Sequence, residues 1–256
     1  MPYFIFINVL GLLMFISPVF SQSTIAQIDS INQIQYQYII SHLQESVTTF
    51  EKNVENSRNI NYEYGEAVAL DKLALALGIS GAHDKANSAF LKAATIFEEL
   101  EDYNKLSSAY GGYGYGLKRR NMTSANKYMR MGISIAEQYN LNQNLTTLYD
   151  NYGVLKLLEE QLDSAFYFYS KALGLKRQLA DSVGIPYSLN KLAELFAAQG
   201  QYNKAFEYLA ESDSIRSKEQ GDFGRAENLV HHADIYQNME DFDTAINYYK
   251  QAITKG

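Results

Sequence analysis

The chain contains no cysteine and no tryptophan, only three prolines, and fewer basic than acidic residues. Without cysteine there are no disulfides, no thiolate zinc sites and no cysteine nucleophile, so packing alone must hold the fold together. Lys and Arg number 22 against 29 Asp and Glu, a net charge of −7, and the single basic cluster is Lys118-Arg119-Arg120. A nucleic-acid surface needs a broad basic stripe, so DNA and RNA are excluded as expected partners. Only Pro186 stands beyond residue 20, which leaves nearly the whole body free to be helical. After residue 20 no apolar run is long enough to cross a bilayer.

What is present is a repeat. Short segments ending in alanine return at Ala86, Ala125, Ala165, Ala205 and Ala245, at intervals of 39, 40, 40 and 40 residues. A fixed period of this size marks stacked supersecondary units. Two places before each alanine stands a residue able to cap a helix: Asp84, Thr123, Asp163, Asn203 or Asp243. A helix is expected to start there, its side-chain cap accepting from the free amides of the first turn. The residue before the cap is Met122, Leu162, Tyr202 or Phe242, expected to pack the turn down, with His83 in that place as a half-buried turn residue.

Apolar residues at helical spacing follow each alanine, as in Phe90-Ala93-Ala94-Phe97, Met129-Ile133-Ala136 and Tyr249-Ala252-Ile253. A second periodic segment precedes each turn, as in Leu189-Leu192-Ala193-Phe196. Each is one stripe of an amphipathic helix, and two helices per unit make an αα-hairpin. The composition, 46% hydrophobic with 21 Tyr and 13 Phe, is ample for such a core.

On these residues the chain resembles the tetratricopeptide repeat family. One unit supplies Ala193, Phe196, Gly200, Tyr202, Ala205 and Leu209; the next supplies Ala233, Tyr236, Phe242, Ala245, Tyr249 and Ala252. Earlier units give Ala74, Leu77, Gly81, Ala86, Phe90 and Ala93, then Gly112, Tyr115, Ala125 and Met129, then Gly153, Ala165, Tyr169 and Ala172, with Lys156 where an aromatic is expected. The resemblance implies an all-α fold, a right-handed α-solenoid of antiparallel helix pairs. Its repeats fall at 27–65 (degenerate), 67–104, 105–145, 146–185, 186–225 and 226–256, longer than the family's usual length of about 34 residues.

Residues 2–20 carry no charge and are largely apolar, although the basic segment usual before such a stretch is missing. They are expected to be a secretory leader, cleaved after Ser21, which would place the protein in the periplasm or outside the cell. No membrane contact is expected unless the leader stays uncleaved or the chain is part of something longer. The sixth repeat reaches its second helix without a polar capping helix after it, so another molecule or further chain is expected to cover its last apolar face.

The glycine-rich stretch Gly111–Gly116 lacks the Lys-Ser/Thr of a phosphate loop and is expected to be a close-packed helix. His231 and His232 are adjacent, hence about 100° apart on a helix, and cannot face one metal as a spaced pair would. No Ser/His/Asp set or paired-acid arrangement stands out, so neither an enzyme nor a metal or other cofactor is expected. Binding remains. In the family, first helices line a concave groove, and the matching positions are Asp71, Tyr113, Asp150, Val154, Tyr187, Asn190, Glu194 and Asp234. That set holds no Lys or Arg to clamp a terminal carboxylate. A protein or peptide segment offering basic or amide groups is the expected partner. Two readings follow, an exported scaffold acting alone or the extracytoplasmic sensor region of a membrane-bound histidine kinase or helix-turn-helix regulator.

Overall fold

A computed structural model describes residues 17–218 and 223–255, with side chains from residue 24 onward and Phe223 described in its backbone only. Thirteen helices run through them: α1 (Ser17–Asn32), α2 (Tyr36–Ser41), α3 (Leu43–Asn59), α4 (Glu63–Ile79), α5 (His83–Glu99), α6 (Tyr103–Gly116), α7 (Met122–Gln138), α8 (Asn142–Leu158), α9 (Leu162–Gln178), α10 (Gly184–Ala198), α11 (Tyr202–Arg216), α12 (Phe223–Asn238) and α13 (Phe242–Lys255). No strand occurs among the described residues. The helix contacts divide the chain into two compact units, Met1–Ala109 and Tyr110–Gly256, with the division inside α6. In the first, α4 packs on α3 and α5; in the second, the pairs α8/α9, α10/α11 and α12/α13 pack within and against one another. The fold is an all-α solenoid of antiparallel helix pairs.

The first sixteen residues of the expected leader lie outside the described residues, and α1 runs across the bond after Ser21. No helix of the described residues is long and apolar enough to cross a membrane.

The five repeat alanines sit where the period places them, each at most 3% exposed. Each donates its amide to the carbonyl four residues back, Ala86 to Ala82, Ala125 to Asn121, Ala165 to Gln161, Ala205 to Gln201 and Ala245 to Asp241. The helices therefore open two residues earlier than the supposed caps. Asp84 and Asp163 lie inside the first turn, where they favour the positive end of the helix dipole, and Ala82, Gln161 and Gln201 stand at the cap positions without a side-chain bond. Side-chain oxygens do accept from the third residue on at Asp102, Asn121, Asp181 and Asp241. Of the turn residues, Met122, Leu162 and Tyr202 are half-buried, whereas His83 and Phe242 are exposed. Helices α4, α6, α8, α10 and α12 start two to four residues before the repeat starts read from the sequence.

The joints are nearly uniform. Asn61, Gly81, Glu101, Asn140, Glu160, Ala180, Gly200 and Glu240 all adopt left-handed φ, between 53° and 88°. At each, the following amide reaches the carbonyl five residues back at 2.8 to 2.9 Å, as in Gln161 to Lys156 and Gln201 to Phe196. This is the bond of the Schellman motif, which satisfies carbonyls that the helix end leaves free. The α6–α7 joint differs. It runs through Leu117–Arg120 in turn conformation and ends on Asn121, whose side chain caps α7.

Two expectations about packing resolve locally. The glycine-rich stretch is helical, and a Cβ on Gly114 would meet the Met129 backbone nitrogen at 2.8 Å, so a glycine is needed there for helix α6 to lie against α7. Lys156 replaces the expected aromatic without leaving a hole. Its ammonium donates to Asn126 Oδ1 at 2.7 Å and Glu159 Oε2 at 2.8 Å, while Asn126 donates to Glu159 Oε1. By contrast, Ile253, read as part of a buried stripe, is 80% exposed, on the same side of α13 as Phe242 and Ile246. No other described helix covers that side.

Candidate functional site

Tyr169 and Ala172 continue the buried stripe of α9, and one turn further on the stripe holds Lys176, a charged residue only 5% exposed. Burying an ammonium is costly unless it is paired and hydrogen-bonded. Here Lys176 Nζ donates to Asp150 Oδ2 of α8 and, at 2.9 Å, to Ser188 Oγ of α10. Ser188 in turn donates to Asp150, 2.9 Å from Oδ1. Three helices are tied at one polar knot. Burial pushes the Asp150 carboxyl above the usual carboxylate range, against the opposing pull of Lys176 and Ser188.

Asp150 and Lys176 of this knot form the floor of a cavity of about 330 Å³. Asp150, Asn151 and Val154 of α8, Tyr187 and Lys191 of α10, Tyr115 of α6, Asp181 and Gly184 line it, with Gln143 and Thr147 of α8 among its exposed residues. The Lys118 ammonium lies 3.6 Å from the centre of the Tyr115 ring, and the Arg216 guanidinium 4.8 Å from that of Tyr187. Asp181 Oδ1 accepts from the Gly184 amide, which fixes the start of α10.

Of the eight positions named from the sequence, the cavity brings together Asp150, Val154 and Tyr187. Asn190 is buried, donating to Asn228 Oδ1 at 2.9 Å, and so joins α10 to α12 instead of facing a ligand. Glu194 accepts from Lys191 at 3.0 Å and lies 3.1 Å from His231 Nδ1. Burial alone would raise its carboxyl, but His231 and Lys191 outweigh it and hold Glu194 below the usual range. Asp234 accepts from the Tyr249 hydroxyl at 2.5 Å, and that bond, with burial, pushes the phenol up to about 12. Tyr113 lies edge-on to Tyr128, ring centres 5.1 Å apart. Asp71 belongs to the other unit; burial raises its carboxyl, partly offset by Lys72 and Lys105.

Three of the four acids that made the groove look negative, Asp150, Glu194 and Asp234, are therefore engaged within the protein. Sequence reasoning missed Lys176, Ser188, Asn151, Lys191, Asp181 and Tyr115. Lys176 had a legible signal, a charge inside an apolar stripe. The others lie at positions a first-helix tally does not reach or on second sides of the same helices.

Ser188 is fully buried and its hydroxyl is committed to Asp150, so the Lys–Ser–Asp contact presents no nucleophile. His231 and His232 turn to different partners, Glu194 and Asp213. Among the described residues no group of three His, Asp or Glu is placed to hold a metal ion.

Geometry defines a helix-pair repeat protein with a pocket of mixed polar and apolar lining, mostly on its first helices. The family model described as tetratricopeptide repeat matches residues 184–254, and this segment, α10 to α13, is a tetratricopeptide repeat region. No curated protein matches the chain. Among solved structures, BtubC (BKLC) from P. vanneervenii is similar at TM-score 0.71 and 18% identity, over 83% of this chain and 90% of that one. A signal-transduction ATPase with numerous domains carrying a tetratricopeptide repeat sensor, from Pyrococcus horikoshii, is similar at TM-score 0.63 and 15% identity; 92% of this chain covers 35% of it. NprR, solved in complex with its cognate peptide NprX, is similar at TM-score 0.61 and 13% identity, over 92% of this chain and 67% of that one. At these identities the likeness is one of fold.

Proposed function

We propose that the chain is a non-catalytic scaffold of the tetratricopeptide type that binds a protein or peptide segment across α8 and α10, outside the cytoplasm. The observation that carries this reading is the cavity beside the Asp150–Lys176–Ser188 knot, where three helices hold an ion pair in a fixed position just beneath the surface. Fixed groups lower the ordering cost of binding. The peptide held by NprR is a fact about NprR, and it lends support by showing that a related fold serves such a use. Export rests on the uncharged segment at residues 2–20.

The test is selection from a random displayed-peptide library on the whole protein, followed by affinity measurement on Thr147→Arg. Thr147 is exposed at the cavity rim, so arginine there blocks the mouth without touching the core. Selected peptides should lose at least tenfold in affinity. Peptides that bind the variant as tightly as the parent, or no enrichment at all, would overturn the reading. Export is tested separately by the N-terminus of the native protein, expected at Gln22.

A second reading is the extracytoplasmic sensor region of a membrane-bound signalling protein. The similarity to a signalling ATPase with a tetratricopeptide repeat sensor favours it, and the chain spans about a third of that protein. A native polypeptide much heavier than 29.0 kDa in the membrane fraction would select this reading over the first.

A further inference from the structure

The floor of the α8–α10 cavity has both a donor and an acceptor, side by side. Lys176 commits two of its three ammonium hydrogens, to Asp150 and Ser188, and is one of the residues that line the cavity. Asp150 takes Lys176 on Oδ2 and Ser188 on Oδ1, and its remaining face opens on the cavity, where its side chain is 17% exposed. Charge at the floor cancels, −1 from Asp150 against +1 from Lys176. Lys191 is neutralised by Glu194, and Asp181 caps the positive end of α10. A guanidinium or ammonium entering here would have no free counter-charge, and a carboxylate would meet Asp150. Burying either without a partner is costly.

We propose that the cavity receives a carboxamide, the side chain of an asparagine or glutamine of the bound segment. Its N–H donates to Asp150 and its carbonyl accepts from Lys176. A neutral planar group with one donor edge and one acceptor edge matches an ion pair whose charges are already spent. Gln143, Thr147 and Asn151 around it are neutral hydrogen-bonding groups as well, which suit a peptide backbone on either side. This inference rests on the scaffold reading above and narrows its partner.

The first test uses small probes on the full chain. Titration of 15N-labelled protein with propionamide, n-propylguanidinium and propionate, each alone, should move the amide signals of Asp150, Asn151 and Lys191 with propionamide at least threefold further than with the other two. The shifts should vanish in Thr147→Arg. Larger shifts with the guanidinium or with propionate would overturn the carboxamide assignment, as would no shift with propionamide.

The second test uses the selected peptides. One Asn or Gln should lose about tenfold in affinity on replacement by Ala and as much on replacement by Asp or Glu. Peptides blocked by Thr147→Arg but anchored through Lys or Arg would leave the scaffold reading standing and sink this one. Peptides indifferent to Thr147→Arg would sink the scaffold reading itself.

Discussion

Asp71 on α4 and Asp150 on α8 stand two repeats apart at matching places of two first helices, 79 residues from one to the other. Their surroundings differ. At the same offsets where Asp150 meets Lys176 and Ser188, Asp71 has Phe97 and Ala109, both buried and apolar. Lys72 and Lys105 draw on the Asp71 charge through space, while Asp150 is held by direct hydrogen bonds. Burial raises both carboxyls, and Asp150 lines the cavity between α8 and α10. A repeat therefore copies the backbone position of a charge; the neighbours that give it a use are written separately.

The largest effect should come from dismantling the cradle. Lys176→Met leaves Asp150 buried without its cation and should cost about 3–5 kcal/mol in a urea titration; a loss near zero would mean that the two acids are equivalent after all. Transplanting the lysine is the reverse move. Phe97→Lys should destabilise strongly on its own, and about 1–2 kcal/mol more strongly when Asp71 is also changed to Asn, the double-mutant coupling expected for a formed pair.

The neutral swaps should then separate the two sites by sign. Asp71→Asn removes a charge that burial disfavours and should raise the thermal midpoint at neutral pH. Asp150→Asn leaves Lys176 unpaired and should lower stability by about 1–3 kcal/mol. Two changes of the same sign would dissolve the distinction.

Acid titration sharpens the contrast further. Glu194 is held below its usual range by His231 and Lys191, so its contribution is present above the unfolded value of about 4.3 and is lost as pH falls through the folded value. A raised carboxyl such as Asp150 works the other way, favouring the fold as it takes up its proton. Glu194→Gln should flatten the acid-side decline of the thermal midpoint, and an unchanged slope would count against the pairing. The smallest effect expected is at a joint. Glu160 is left-handed with φ 58°, and Glu160→Gly should raise stability by about 1 kcal/mol, a midpoint shift of about 2–4 °C.

The fold was legible because it is periodic. Five alanines in phase place the helix crossings, and all five are buried as their spacing requires. Helix starts were displaced by two residues because Asp84 and Asp163 look like caps but act within the first turn, while Ala82 and Gln161, which give no sequence signal, occupy the cap positions. Residues that favour left-handed joints stand at Gly81 and Gly200, and at Asn61 and Asn140. At Glu101, Glu160, Ala180 and Glu240 the conformation is imposed by the bond five residues back, which is a property of the chain around them.

The site was less legible for a related reason. Asp150, Val154 and Tyr187 could be mapped from one helix class, but the groups that finish the cavity come from α9, the turn before α10 and other faces of the first helices. Asn190 could not be separated from a surface asparagine without its partner Asn228.

The left-handed joints bear on how the chain comes to be folded. Each is closed by a bond spanning five residues, and the pairs α4/α5, α8/α9, α10/α11 and α12/α13 are each completed within about 40 residues. Local contacts are quick to find, because little loop must be closed before they are rewarded. A polypeptide built this way can order itself segment by segment as it emerges from a ribosome or a translocation pore, with no crosslinking step to wait for.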